Sequence, residues 1–72
     1  MKILFTGGGG AGSLSIYNQL SSVHDIYFAD SNPLSIHPSI PQTNVVTTPI
    51  IDDPKFVAFQ IDFCRNKAID FV

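Results

Sequence analysis

A glycine-rich loop near the start of the chain constrains the fold more than any other feature. All five glycines of the 72-residue sequence lie between Gly7 and Gly12, shortly after the apolar segment Ile3-Leu4-Phe5. A glycine inside a helix or strand costs roughly 0.5–1 kcal/mol relative to alanine. The cluster therefore predicts a turn in which the backbone adopts special conformations or comes close to another group.

Apolar segments alternate with amphipathic ones along the chain. The sequence predicts strands at residues 3–5, 26–29, 45–48 and 69–72, helices at 13–22 and from 53 to about 66, and a long loop at 31–44. Alternating strands and helices favour an α/β fold with right-handed crossovers. We therefore expect a Rossmann-like parallel sheet of four strands in the order 3-2-1-4, with a helix on each face, as part of a doubly wound fold.

The composition limits the environments and partners of the chain. Its length suits one domain, residues 1–72, and 44% of the residues are hydrophobic against 14% charged. With four scattered lysines and arginines and a net charge of −2, the chain has no basic stripe for a nucleic acid. No apolar run approaches the ~20 residues that cross a bilayer. A single cysteine favours a reducing compartment, so we expect a cytoplasmic protein.

The glycine-rich loop has the composition of an anion site. Gly7, Gly9 and Gly12 fit the spacing G-x-G-x-x-G between a predicted strand and a predicted helix. Backbone N–H groups at the start of that helix would point at the ligand. Because no charged residue occurs from position 3 to position 24, any attraction must come from these groups and the helix dipole. Ser13 stands where a phosphate-binding P-loop requires lysine, which excludes a nucleoside triphosphatase loop.

Asp30 ends the second predicted strand and should lie near the glycine loop, because the carboxyl ends of neighbouring parallel strands meet. In a dinucleotide site it would accept hydrogen bonds from the adenosine ribose. It could equally start a turn over residues 30–33, and the glycines could serve a tight turn alone. No residue is predicted to be catalytic or to bind a metal. The residues predicted to contact a substrate or cofactor are Gly7, Gly8, Gly9, Gly10, Ala11, Gly12, Ser13, Asp30, Ser31 and Asn32.

Other residues with reactive side chains have simpler structural explanations. His24 suits the negative end of the first helix, and His37 lies in the polar loop without a neighbouring metal ligand. Cys64 falls on the apolar side of the second helix, where it acts as a small hydrophobe. The pair Asp52-Asp53 precedes Pro54 and is typical of a helix start. We assign no chemistry to these positions.

Several segments, in the same order along the chain, resemble the N-terminal domain of ATP-grasp enzymes. They are Lys2–Ser13, Ala29–Leu34, Asp53–Phe56 and Cys64–Val72. The sequence is most similar to the group that includes the large chain of carbamoyl-phosphate synthase. In these enzymes a Rossmann-like domain precedes the ATP-grasp fold and lines the substrate side of the active site, with its glycine-rich loop facing the cleft.

The resemblance implies an enzyme in which this chain contributes to activity only together with other domains. Enzymes of this class join a carboxylate to an amine through an acylphosphate, using ATP and magnesium held mainly by later subdomains. The parent would be an ATP-dependent ligase whose chain continues past Val72, and the 72 residues alone would be inactive and hold no cofactor. The expected partners are a small anionic or carboxylate substrate and the remaining ATP-grasp domains, or a second copy bound through the exposed sheet edge.

Two other function classes remain open. The start of the chain also resembles extended short-chain dehydrogenases and epimerases, which bind NAD(P) through T-G-x-x-G-x-x-G. Gly7 and Gly10 fit that pattern, but Ser13 replaces its third glycine, and neither Tyr17 nor Tyr27 has a lysine four residues later. The third class is a non-catalytic module that binds another protein through its uncovered sheet edge.

Overall fold

Three parallel strands and two α-helices make up the α/β fold in the computed structural model, which describes all 72 residues. The strands lie side by side in the order β1-β2-β3, so that β2 is central. Two short 3₁₀ turns occupy the long loop before β3. The elements are β1 (Lys2–Thr6), α1 (Ser13–Leu20), β2 (Asp25–Asp30), 3₁₀ turns at Pro33–Ser35 and Gln42–Asn44, β3 (Val45–Thr47) and α2 (Phe56–Asn66).

The hydrophobic core lies on one face of the sheet and centres on Phe28. This side chain is fully buried, and its ring stacks on Phe5 of the neighbouring strand with the ring centroids 5.5 Å apart. Phe5 and Phe28 are register partners, so their side chains share a face of the parallel pair. Tyr17 of α1 contacts Phe28 edge-on, with centroids 6.3 Å apart. Helix α1 therefore covers this face.

The loop before β3 completes the same core. Ile36 and Ile40 are both buried and cluster with Phe28, although the sequence predicts a polar loop here. Asn44 fixes the end of the loop, because its side-chain Nδ2 donates to the backbone oxygen of Ile26 at 2.8 Å. Ile36 and Ile40 thus cover part of this face of the sheet, where a second helix could otherwise pack.

Helix α2 packs more loosely. Phe63 meets Tyr27 edge-on, with ring centroids 5.5 Å apart, and no residue of α2 is fully buried. The helix begins at Phe56 rather than at residue 53, because residues before it form turns in which Asp53 Oδ1 accepts from the Lys55 N–H at 2.8 Å. No helix of the fold combines the length and the apolar character needed to span a membrane.

The predicted parallel α/β class is confirmed, but the prediction of a fourth strand at residues 69–72 is not. This segment forms a single parallel bridge between Ile3 and Phe71 at the free edge of β1. Leu4 N–H donates to the Phe71 oxygen at 2.9 Å, while Asp70 N–H donates to the Lys2 oxygen at 2.8 Å. The residues between α2 and Phe71 form the turn that leaves the helix, so this segment pairs with β1 through one bridge only. The sheet therefore has three strands.

Candidate functional site

A cleft of about 470 Å³ opens where the three strands end. Thr6 and Gly7 follow β1 into it, Asp30 borders it at the end of β2, and Thr48 borders it just after β3. Phe56 and Gln60 of α2 form its far wall. Ligands of parallel α/β folds bind at this end of the sheet, and pockets of roughly 300–1,000 Å³ hold small molecules.

The cleft is mostly neutral. Asp30 is the one charged residue that lines it, and no lysine, arginine or histidine does. Hydroxyl groups come from Thr6, Ser31 and Thr48, while Phe56 contributes an apolar wall. The side-chain oxygen of Gln60 is buried without a hydrogen-bond partner. The lining therefore offers no counter-charge for a polyphosphate.

The first half of the glycine loop is closed against β2. Gly8 N–H donates to the Ala29 oxygen at 2.7 Å, and a Cβ atom at Gly8 would lie 2.7 Å from the Cβ of Phe28. Real Cβ atoms do not approach other heavy atoms that closely, so only glycine allows this contact. The loop is thus held on the central strand by its own backbone.

A hydrogen bond to Asp30 holds the next part of the loop. The Asp30 Oδ2 atom accepts from the Gly9 N–H at 3.0 Å, and its Oδ1 atom accepts from the Asn32 N–H at 2.9 Å. A Cβ atom at Gly9 would lie 2.8 Å from Oδ2 and 2.5 Å from the Cβ of Ser35. Asp30 therefore joins the loop to the following turn, and both of its oxygens already accept hydrogen bonds.

The second half of the loop remains open. Gly10 N–H donates to Gly7 and Ser13 N–H donates to Gly10, which closes two tight turns. Beyond them, a row of backbone N–H groups in the loop and first turn of α1 has no partner within the chain. These groups belong to Ala11, Gly12, Leu14 and Ser15.

The structure distributes the predicted site residues over three environments. Gly7, Asp30 and Ser31 line the cleft, whereas Ser13, the first residue of α1, is buried. Asn32 turns away, and its side chain accepts from the Leu34 N–H at 3.1 Å. The predicted residues therefore do not form a single continuous surface.

Sequence reasoning missed part of the cleft wall. Thr48, Phe56 and Gln60 line it although none was among the predicted residues. Thr48 follows β3, so the rule that placed Asp30 at the carboxyl edge of the sheet applies to it equally. The side chains of α2 give no comparable pattern, because their direction depends on how the helix packs.

The residues that were explained structurally take part in no reactive cluster. His37 Nδ1 accepts from the Ser39 N–H at 3.1 Å within its own loop. Cys64 is half-buried and unpaired, and His24 lies at the opposite, amino end of the sheet, with a buried Nδ1 that has no partner. No group of three histidine, cysteine, aspartate or glutamate side chains is placed to hold a metal ion.

Two features thus share the carboxyl end of the sheet. One is the neutral cleft between β2 and α2, and the other is the row of unpaired N–H groups that starts at Ala11. Gly7 lies where the loop meets the cleft. No protein-family model, curated protein or solved structure matches the chain.

Proposed function

We propose that this domain is the substrate-side, N-terminal part of an ATP-dependent carboxylate–amine ligase of the ATP-grasp class, similar to the large chain of carbamoyl-phosphate synthase. In that arrangement it binds a small anion or carboxylate and is inactive alone. The proposal includes the finer Rossmann-like order 3-2-1-4. It is supported by the Ile3–Phe71 bridge, which lies on the edge of β1 where a fourth strand would pair.

The row of unpaired N–H groups carries the proposal. Ala11, Gly12, Leu14 and Ser15 present four donors at the end of a parallel sheet where ligands commonly bind. The start of an α-helix contributes about half a positive charge. Hydrogen bonds to a charged acceptor are roughly twice as strong as neutral ones. A carboxylate suits such a row because no bulky side chain of the loop stands in front of it.

The residues of this chain do not fit ATP or magnesium. The cleft has no lysine or arginine to neutralise a triphosphate, and no carboxylate cluster is placed to hold a cation. Both belong to other domains of the parent under this proposal. The contribution of this domain is to bind and orient the substrate.

The geometry of Gly9 favours the ligase over an NAD(P)-binding dehydrogenase. In dinucleotide sites the second glycine of the motif lets the backbone approach the pyrophosphate. Here Ser35 and the Asp30 carboxylate lie against Gly9 on the side where a Cβ atom would stand, and the Gly9 N–H is already bonded to Asp30. Each oxygen of Asp30 already accepts one internal hydrogen bond, which leaves a ribose only the second lone pair of each.

Ligand titration of the ¹⁵N-labelled chain tests the proposal. Acetate and inorganic phosphate are expected to shift the backbone amide resonances of Ala11, Gly12, Leu14 and Ser15, with little change at Gly8. NADH and NADPH serve as the competing ligands, monitored by fluorescence. Saturation by a dinucleotide at micromolar concentration would replace the ligase proposal with the dehydrogenase class. An absence of anion-dependent shifts at the four amides would remove the substrate-binding role.

A further inference from the structure

Helix α2 is apolar on two opposite sides. The inner side, with Phe56, Phe59 and Phe63, is half-buried against the sheet. The outer side leaves Val57 64% exposed and Ile61 45% exposed. Polar residues, among them Asp62, separate the two sides, and nothing in the chain covers the outer one. The outer face of α2, defined here as Val57, Ala58 and Ile61, therefore lacks a partner in the single chain.

Two exposed charges around this face are self-complementary. Lys55 and Asp62 lie equally far along the chain from the point between residues 58 and 59. Arg65 has no such counterpart, because Asp52, at the same distance along the chain, lies in the turns before α2. Lys55 and Asp62 have opposite signs, so reversing the direction of the helix exchanges one for the other. Both residues are exposed.

We propose that two copies of the chain associate through the outer face of α2, with the helices antiparallel across a two-fold axis near Ala58. Lys55 then lies opposite Asp62 of the second copy. Two-fold symmetry makes this pair occur twice. The small Ala58 at the crossing lets the helix axes approach to about 8–10 Å.

A second copy fits this face better than a partner of different charge. The charges of Lys55 and Asp62 sum to zero, so this pair attracts neither a basic nor an acidic protein, whereas it complements the same pair of a second copy. The sequence predicts self-association through the exposed sheet edge, and the β1 side of the sheet is less available. Its Leu4 N–H and Lys2 oxygen already bond the segment around Phe71.

Sedimentation equilibrium over about 10 μM to 1 mM, at low salt, tests the interface, because a single helix face gives a weak dimer. The variants are Lys55→Asp, Asp62→Lys and the double exchange. Each single reversal places like charges together at two symmetric positions and is expected to raise the dimer dissociation constant at least about fivefold. The double exchange restores both pairs with swapped signs and is expected to recover the wild-type value within about twofold.

The two single variants change net charge in opposite directions, so weakening by both cannot come from overall charge. Both positions are exposed, and circular dichroism checks that each variant keeps the wild-type fold. A wild-type chain that stays monomeric to 1 mM would overturn the proposal. Self-association that ignores the single reversals, or that the double exchange fails to restore, would overturn it as well.

Discussion

The Asp30 carboxylate accepts a hydrogen bond from the Gly9 N–H group at 3.0 Å across twenty-one residues of sequence. The same carboxylate accepts from Asn32 at 2.9 Å, so one side chain holds together the glycine loop and the turn after β2. This arrangement turns a residue with the position of a ribose ligand into a structural clamp. Under the proposed function, the N–H groups beyond Gly10, which have no internal partner, would bind the anion.

Replacement of Asp30 tests the clamp. Asp30→Ala leaves two backbone donors without acceptors and is expected to lower the free energy of unfolding by about 1–3 kcal/mol. Asp25→Ala, at an exposed position of the same strand whose side chain makes no hydrogen bond, should change it by less than about 0.5 kcal/mol. Urea denaturation measures both. Equal stabilities for the two variants would mean that the carboxylate contributes nothing to the loop.

Two glycines of the loop should respond oppositely to alanine. Gly8→Ala places a methyl group 2.7 Å from the Phe28 Cβ and 3.1 Å from the Ala29 nitrogen, so the free energy of unfolding should fall by about 1–3 kcal/mol. Gly12 has a φ of −89° and nothing within 4 Å of its added Cβ. Gly12→Ala should therefore be neutral or stabilising by up to about 1 kcal/mol, because it restricts the unfolded chain. Thermal and urea unfolding compare the pair, and a destabilised Gly12→Ala would contradict the geometry.

Ala68 ends α2 in a conformation that suits glycine. Its φ is 52°, and Ile69 N–H donates to Cys64 while Ala68 N–H donates to Arg65, the two bonds of a Schellman cap. Ala68→Gly is expected to raise the free energy of unfolding by about 0.5–1 kcal/mol, since glycine adopts positive φ without steric cost. Ala58→Gly, inside the same helix, should lower it by about 1 kcal/mol. A loss of stability in both variants would mean that the cap conformation is not the one described.

Substitutions at Ser15 can distinguish anion binding by the backbone N–H group from anion binding by the side-chain hydroxyl. Ser15→Pro removes one unpaired N–H group in the first turn of α1, where proline is tolerated, and breaks no backbone hydrogen bond. Like Ser15→Ala, it loses the hydroxyl that accepts from Gln19 Nε2 at 3.1 Å, so the two variants differ in the N–H group. We expect Ser15→Pro to weaken acetate binding about tenfold to 150-fold, which corresponds to one hydrogen bond to a charged group. Ser15→Ala keeps the N–H group and should bind acetate as the wild type does. Titration by NMR measures both, and an equal loss in the two variants would assign the binding to the hydroxyl instead.

A large part of the architecture is readable from local pattern. The apolar segments that become β1 and β2, the amphipathic α1 and the turn at the glycines all follow from residues close together in sequence. Some observed bounds differ from the predicted ones by a few residues. Helix α2, for example, begins at Phe56, because the residues predicted to form its first turn form separate turns instead. The contribution of Ile36 and Ile40 to the core is not readable in this way, since prolines around them suggest only an exposed loop.

The sequence by itself determined that a glycine loop follows the first strand, that residues 3–24 contain no Asp, Glu, Lys or Arg, and that strands alternate with helices. The tertiary structure alone decided which loop amides are open, because that depends on Phe28, Asp30 and Ser35, which approach Gly8 and Gly9 from distant parts of the chain. It also decided that the last segment forms one bridge and no strand. Local sequence patterns specify the conformation of each segment. The pairing of its backbone N–H and C=O groups is decided only when segments that are remote in sequence come together.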